Sequence, residues 1–208
     1  MDNRFPAYTE NETKSEPNVS AQQRTYLDYN ATAPLLSCAQ EAVEFALGLT
    51  GNPSSVHFEG RHSRKLIEDA RVSVAAAVNA RSDNVIFTSG ATEAANHALS
   101  PSYRKSGTEF RVTNLLVGAS EHPCMIAGGR FTADQISRTP ILENGLICLT
   151  SLEEKLAVWS RSGNSALVAI QLANNETGVI QPIRKIAELV HRYGGILVVD
   201  AVQALGKM

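Results

Sequence analysis

Cysteine is scarce in this sequence: Cys38, Cys124 and Cys148 stand far apart, odd in number and without a C-x-x-C pair. That spacing argues against a disulfide framework or a thiolate zinc site, no metal is expected, and a reducing compartment fits. No apolar run approaches the roughly 18 residues that a membrane span needs. The first residues carry Asp2, Arg4 and Glu10 with no apolar core, so a secretory leader is not expected. A large charge of one sign is also missing. The net charge is −2 and the pI near 6.2, which gives no reason to expect nucleic acid as a partner. Arg61, Arg64, Lys65 and Arg71 are interleaved with Glu68 and Asp69 and read as a solvated helix face. Neither G-x-x-x-x-G-K-[ST] nor G-x-G-x-x-G occurs, so a P-loop hydrolase and a Rossmann dinucleotide site are both disfavoured. There is no internal repeat and no low-complexity tract. A soluble, cytoplasmic protein is the expectation.

What is present is a globular composition, 43% hydrophobic and 19% charged over 208 residues, enough for one large domain or two small ones. Residues 1–24 are polar and without periodicity, and read as a mobile arm. A short extended piece at Tyr26–Asn30 leads through Ala31-Thr-Ala-Pro34 to a helix over about 36–48. Gly51-Asn-Pro-Ser-Ser55 is a loop, and a long amphipathic helix spans about 58–79. Strands are expected at 84–88, 115–118, 135–142, 166–170 and 196–200. Helices are expected at 92–100, from Pro123, at 151–159 and from Pro182 to about 193, with turns at Asn144-Gly145 and Gly194-Gly195. This alternation predicts an α/β fold, a mostly parallel sheet covered by helices on both faces.

The stretch Ile196-Leu-Val-Val-Asp200 reads as a buried parallel strand that delivers a carboxylate to its C-terminal end, with Gln203 just beyond. Upstream, Val85-Ile-Phe87 runs through Thr88-Ser-Gly-Ala-Thr92 into a helix start, where free N–H groups and the helix dipole favour an anion. His122 and Asn175 sit at two further strand ends. Polar groups at the carboxyl edge of one sheet are the usual binding geometry of such folds. A phosphate at one end and a basic ring nitrogen facing Asp200 at the other would suit it. Taken singly, Asp200 could be a helix cap, His122 a structural residue and Asn175 a turn residue. Cys124 lies two residues from His122. Because i, i+2 positions at a helix start are not expected to face each other, it reads as a small buried hydrophobe and not as a nucleophile.

Six blocks in order carry a family resemblance. They are Tyr26-Leu-Asp-Tyr-Asn-Ala-Thr-Ala-Pro34, Gly51-Asn-Pro-Ser-Ser-Val-His57, Ile86-Phe-Thr-Ser-Gly-Ala-Thr-Glu93 with Asn96, Glu121-His122, Asn174-Asn-Glu-Thr-Gly178 and Val199-Asp-Ala-Val-Gln203. From about residue 25 onward the chain resembles the NifS-like cysteine desulfurases, pyridoxal-phosphate enzymes of the class V aminotransferase group with the fold-type I architecture. The resemblance implies a segment over 25–50 that packs with a small domain, and an incomplete large cofactor-binding domain over 51–208. It implies that Ala91 and Thr92 cup the phosphate of pyridoxal 5'-phosphate and that the catalytic His122 stacks on its ring. Asn175 then lies near the ring hydroxyl and substrate, Asp200 partners the ring nitrogen and Gln203 donates to the ring hydroxyl. The implied reaction converts L-cysteine to L-alanine and leaves a persulfide on an enzyme cysteine, for iron–sulfur cluster or thio-cofactor synthesis. A homodimer and a sulfur-acceptor or scaffold partner are implied as well. His57 belongs to the family's substrate-side loop and takes no assigned role.

The departures bear on activity. The family's Schiff-base lysine lies in a Ser-x-His-Lys motif beyond the Asp-x-x-Gln strand, and this sequence holds none. Lys207 matches a different family lysine, and Cys38, Cys124 and Cys148 do not match the persulfide cysteine. The expectation is therefore a chain truncated before the C-terminal small domain and inactive alone, with sheet edge and helix faces left uncovered. Alternatives are a non-catalytic remnant or binding module, a selenocysteine lyase, or another class V member.

Overall fold

Four short strands set the sheet, three of them apolar runs: β3 (Asn114–Gly118), β5 (Ala166–Gln171) and β6 (Ile196–Asp200), with the more polar β4 (Ile136–Thr139). In the computed structural model, which describes residues 25–105 and 107–208, they lie in the order β4-β3-β5-β6, and every pairing is parallel. The arm expected over 1–24 lies outside the described residues. β5 is buried at all six positions, as a strand flanked on both sides and covered on both faces must be.

Alternation along the strands divides the core in two. Leu116, Val168 and Ile170 pack with Leu152 and Leu156 of helix α5 (Leu149–Arg161) and with Ile186, Leu189 and Val190 of α6 (Ile183–Arg192). On the opposite face Leu115, Val117, Leu167 and Ala169 meet Ala95 of α3 (Ala91–Ala98), Leu99 just past it, and Met125 of α4 (Pro123–Ile126). Burying one such leucine is worth about 2 kcal/mol. This is the expected parallel sheet with helices on both faces.

Two helices precede it, α1 (Ser37–Leu47) and α2 (Phe58–Ala77), close to their expected bounds. The Gly51–Ser55 loop closes on α2 at Gly60, where a Cβ would stand 2.5 Å from the Ser55 carbonyl oxygen and 2.7 Å from that of Asn52. Only a glycine admits that approach. The chain divides into two compact units at Ala33/Pro34. In the described part of the first, residues 25–33, the expected extended piece is instead a turn at Tyr29–Ala31. Tyr26 stacks on Tyr29 at 5.8 Å and donates its hydroxyl to the Asp28 and Thr32 carbonyls.

Four expectations need correction. Val85–Phe87 is not a strand: no strand among the described residues lies beside it, and Ile86 is 82% exposed. Strand propensity without a ladder partner leaves the segment extended but unpaired. β6 is only half-buried, with Val199 exposed, because it is the last strand of the sheet. An antiparallel hairpin of β1 (Ser102–Lys105) and β2 (Thr108–Arg111) stands where no strands were expected. Arg71 is not on a solvated face: its guanidinium donates to the Val85 carbonyl, lies 5.0 Å over the Phe87 ring and pairs with Glu68 at 3.1 Å. No helix among the described residues is long and apolar enough to cross a membrane.

Candidate functional site

The sheet's carboxyl edge gathers the polar strand ends. Asp200 closes β6 opposite Gln171, the last residue of β5, in the parallel register. Its Oδ1 accepts from the Val202 N–H at 2.9 Å, and its carbonyl accepts from Leu172 N–H at 2.8 Å, so the backbone around the carboxylate is fixed on both sides. By alternation Asp200 shares the face of Ile196 and Val198, the face that α3 and α4 cover.

Across that face lies the start of α3. Its first intrahelical bond runs from the Ala94 N–H to the Gly90 carbonyl at 3.1 Å, which leaves the N–H groups of Ala91, Thr92 and Glu93 ahead of the ladder. Glu93 reaches back to the Ser89 N–H and hydroxyl, both at 2.7 Å, and those bonds hold its carboxyl below the usual range. A cleft of about 250 Å³ joins the two elements, lined by Ala91 and Ala94 on one side and by Val198, Asp200 and Val202 on the other. Thr92 is the second residue of α3 and is exposed at this helix start.

A second cleft, about 450 Å³, opens beside it and is lined by Ser120, Glu121, His122, Asn174, Asn175 and Thr177. The Ser120 carbonyl accepts from Gln171 Nε2 at 2.6 Å and from Asn174 Nδ2 at 3.1 Å, which ties the loop after β3 to the loop after β5. Asn174 Oδ1 in turn accepts from the Glu176 and Thr177 N–H groups, so the turn that carries Asn175 is set from within. Gln203 follows in the turn after β6, accepts from Lys207 Nζ and lines neither cleft.

His122 is the N-cap of α4, and its Nδ1 accepts from the Cys124 N–H at 3.3 Å. The same nitrogen lies 3.0 Å from Cys124 Sγ. The expectation that these side chains do not face each other is therefore overturned. An N-cap residue has extended backbone angles, here φ −60° and ψ 146°, and its side chain folds over the first turn. The electrostatics still oppose a nucleophile: burial pushes the Cys124 thiol up, and the charges of Asp200 and Glu121 add to the shift.

Glu121 belongs to the Glu121-His122 block, to which the sequence alone assigns no role for the acid. It is 6% exposed, and burial raises its carboxyl to about 8, with Asp200 contributing in the same direction. Its signal was legible only as an acid beside a buried strand end. The Gln171 and Asn174 clamp was likewise missed, because amide contacts to a carbonyl 51 and 54 residues away leave no local pattern.

The residues present suit a phosphorylated, nitrogen-containing ring. Backbone donors at a helix start oppose a carboxylate across one cleft, and an imidazole and an amide stand at the adjoining strand ends. No group of three or more metal-binding side chains occurs among the described residues.

Comparison with known proteins agrees. The cysteine desulfurase IscS of Dictyoglomus turgidum is 33% identical over 192 residues, covering 88% of this chain and 46% of that protein. The mitochondrial cysteine desulfurase of Candida albicans is 35% identical over 190 residues, covering 88% and 37%. Among solved structures, a NifS-like protein from Rickettsia africae superposes with a TM-score of 0.74 at 31% identity, covering 88% of this chain and 49% of its own. The chain thus spans half or less of the length of these relatives. The sequence profile of the class-V aminotransferases matches residues 25–208, and the chain belongs to that family, with the fold-type I architecture of its pyridoxal-phosphate enzymes.

Proposed function

We propose that this chain forms the cofactor-binding part of a cysteine desulfurase, which takes sulfur from L-cysteine to leave L-alanine and an enzyme-held persulfide. The observation that carries the reading is the shared cleft of Ala91 and Asp200. When bound there, pyridoxal phosphate supplies an electron sink that depends on its ring nitrogen staying protonated. Asp200 is the partner of that nitrogen, and its backbone bonds to Val202 and Leu172 keep the strand end in place. The N–H groups of Ala91 and Thr92 hold the phosphate, favoured by the helix dipole. His122 would stack on the ring and hold or move a proton at the substrate. Asn175 would lie near the ring hydroxyl. Residues 25–50 pack with a small domain of the whole protein, which works in the cytoplasm as a homodimer and passes sulfur to an acceptor or scaffold protein for iron–sulfur or thio-cofactor synthesis.

Comparing two ligands tests this reading. Pyridoxal phosphate should bind the purified chain at least about 10-fold more tightly than pyridoxal, since the phosphate adds charge-assisted bonds at the start of α3. Equal affinity for the two would remove the phosphate cup and the reading with it.

A further inference from the structure

Glu121 is buried where an acid is costly. Its carboxyl folds back over the end of β3, so that a Cβ on Gly118 would meet Oε1 at 2.4 Å. The second oxygen, Oε2, is buried without a hydrogen-bond partner among the described residues, and so is Thr139 Oγ1. Gly118 and Thr139 are register partners across β3 and β4. Parallel partners present their side chains on the same face, so Thr139 lies on the face of β3 over which the Glu121 carboxyl folds. The charges that bear on Glu121 are unhelpful to an anion: Asp200 of β6 repels it, and the Cys124 thiol of α4 is itself pushed up by both acids. Burial moves the Glu121 carboxyl to about 8, opposed only by the Gln171 backbone. An ionised, half-partnered carboxylate here would pay desolvation and repulsion together, whereas the protonated acid carries no charge to desolvate or to be repelled.

We propose that Glu121 is held as a neutral carboxylic acid and serves as a positioning residue, packing the Ser120–Pro123 turn onto the sheet while leaving Asp200 as the negative charge that faces the ligand cleft. The role toward the ligand rests on the cofactor reading above; the neutral acid stands apart from it.

Infrared titration of the 208-residue chain, with Glu121→Gln as the subtraction, reads the acid directly. A protonated carboxyl band should persist at neutral pH in the wild type and be absent from E121Q. Thermal melts give a second readout. The folded carboxyl titrates above the unfolded one, so the stability contributed by the neutral acid is complete below about 4.5 and lost as pH rises toward about 8. The wild-type melting temperature should fall by about 5 °C or more across that window relative to E121Q, whose amide does not titrate. Parallel melting curves, or a carboxylate band at neutral pH in the wild type, would overturn the neutral acid. Should E121Q fail to fold, the wild-type titration alone decides. With pyridoxal phosphate as probe, E121Q should rescue the binding that Glu121→Ala weakens. A loss in E121Q equal to that in E121A would overturn the positioning role. No binding by the wild type would contradict the cofactor reading and the role toward the ligand, and leave the infrared result to stand.

Discussion

The Nδ1 atom of His122 lies 3.0 Å from Cys124 Sγ, in a contact made by the N-cap geometry of α4. A histidine beside a cysteine invites comparison with nucleophilic pairs, in which the thiolate is stabilised. Here burial, with the nearby charge of Asp200, holds the thiol protonated.

Thiol labelling should reflect that. Cys38 is exposed on α1, whereas Cys124 is partly covered with a raised pKa. Iodoacetamide near neutral pH should modify Cys38 well before Cys124, and Cys124 should gain reactivity only as the pH climbs past the ordinary thiol range. Mass spectrometry of the labelled peptides measures the order. Faster labelling of Cys124 would mean an activated thiolate.

Ser120 is held by two amides, and each should matter to stability. Gln171→Ala and Asn174→Ala should each cost roughly 1–2 kcal/mol in urea unfolding, since each removes a donor from a carbonyl between two loops. Because they share one acceptor, the double variant should depart from additivity by about 0.5 kcal/mol or more. Strict additivity would show that the loops are not coupled through Ser120.

β6 is an edge strand of the sheet among the described residues, with Val199 on it and Val202 just past it exposed, and α1 exposes Phe45 and Leu47, with Leu36 at its N-cap. Unpaired edges and apolar faces of this kind promote association. The chain should self-associate at micromolar concentration, and Val199→Lys should raise the monomer fraction severalfold in analytical ultracentrifugation. A wild-type chain that sediments as a monomer throughout would count against an adhesive edge.

The sequence announced the sheet wherever burial was two-sided. Ala166–Ile170 is apolar at every position because β5 is covered on both faces, and such a run is legible by eye. Val85–Phe87 has the same local character, but a strand is completed by its neighbour, which no local pattern supplies. The β1–β2 hairpin is polar, with Ser102, Arg104, Glu109 and Arg111 along it, so its pairing was hidden. At the site, Asp200 and the start of α3 were readable because each sits where a hydrophobic run stops. Glu121 and the Ser120 clamp were not, since their meaning lies in contacts between β3 and β5 that only the fold creates.

In the proposed function Asp200 faces a protonated ring nitrogen across from the start of α3. Equilibrium binding of pyridoxal phosphate to the wild-type chain and to Asp200→Ala tests it most directly. Measurable wild-type affinity is expected, with a loss of roughly 10- to 100-fold in the variant, the worth of one charge-assisted hydrogen bond. Equal affinity in the two proteins would contradict it.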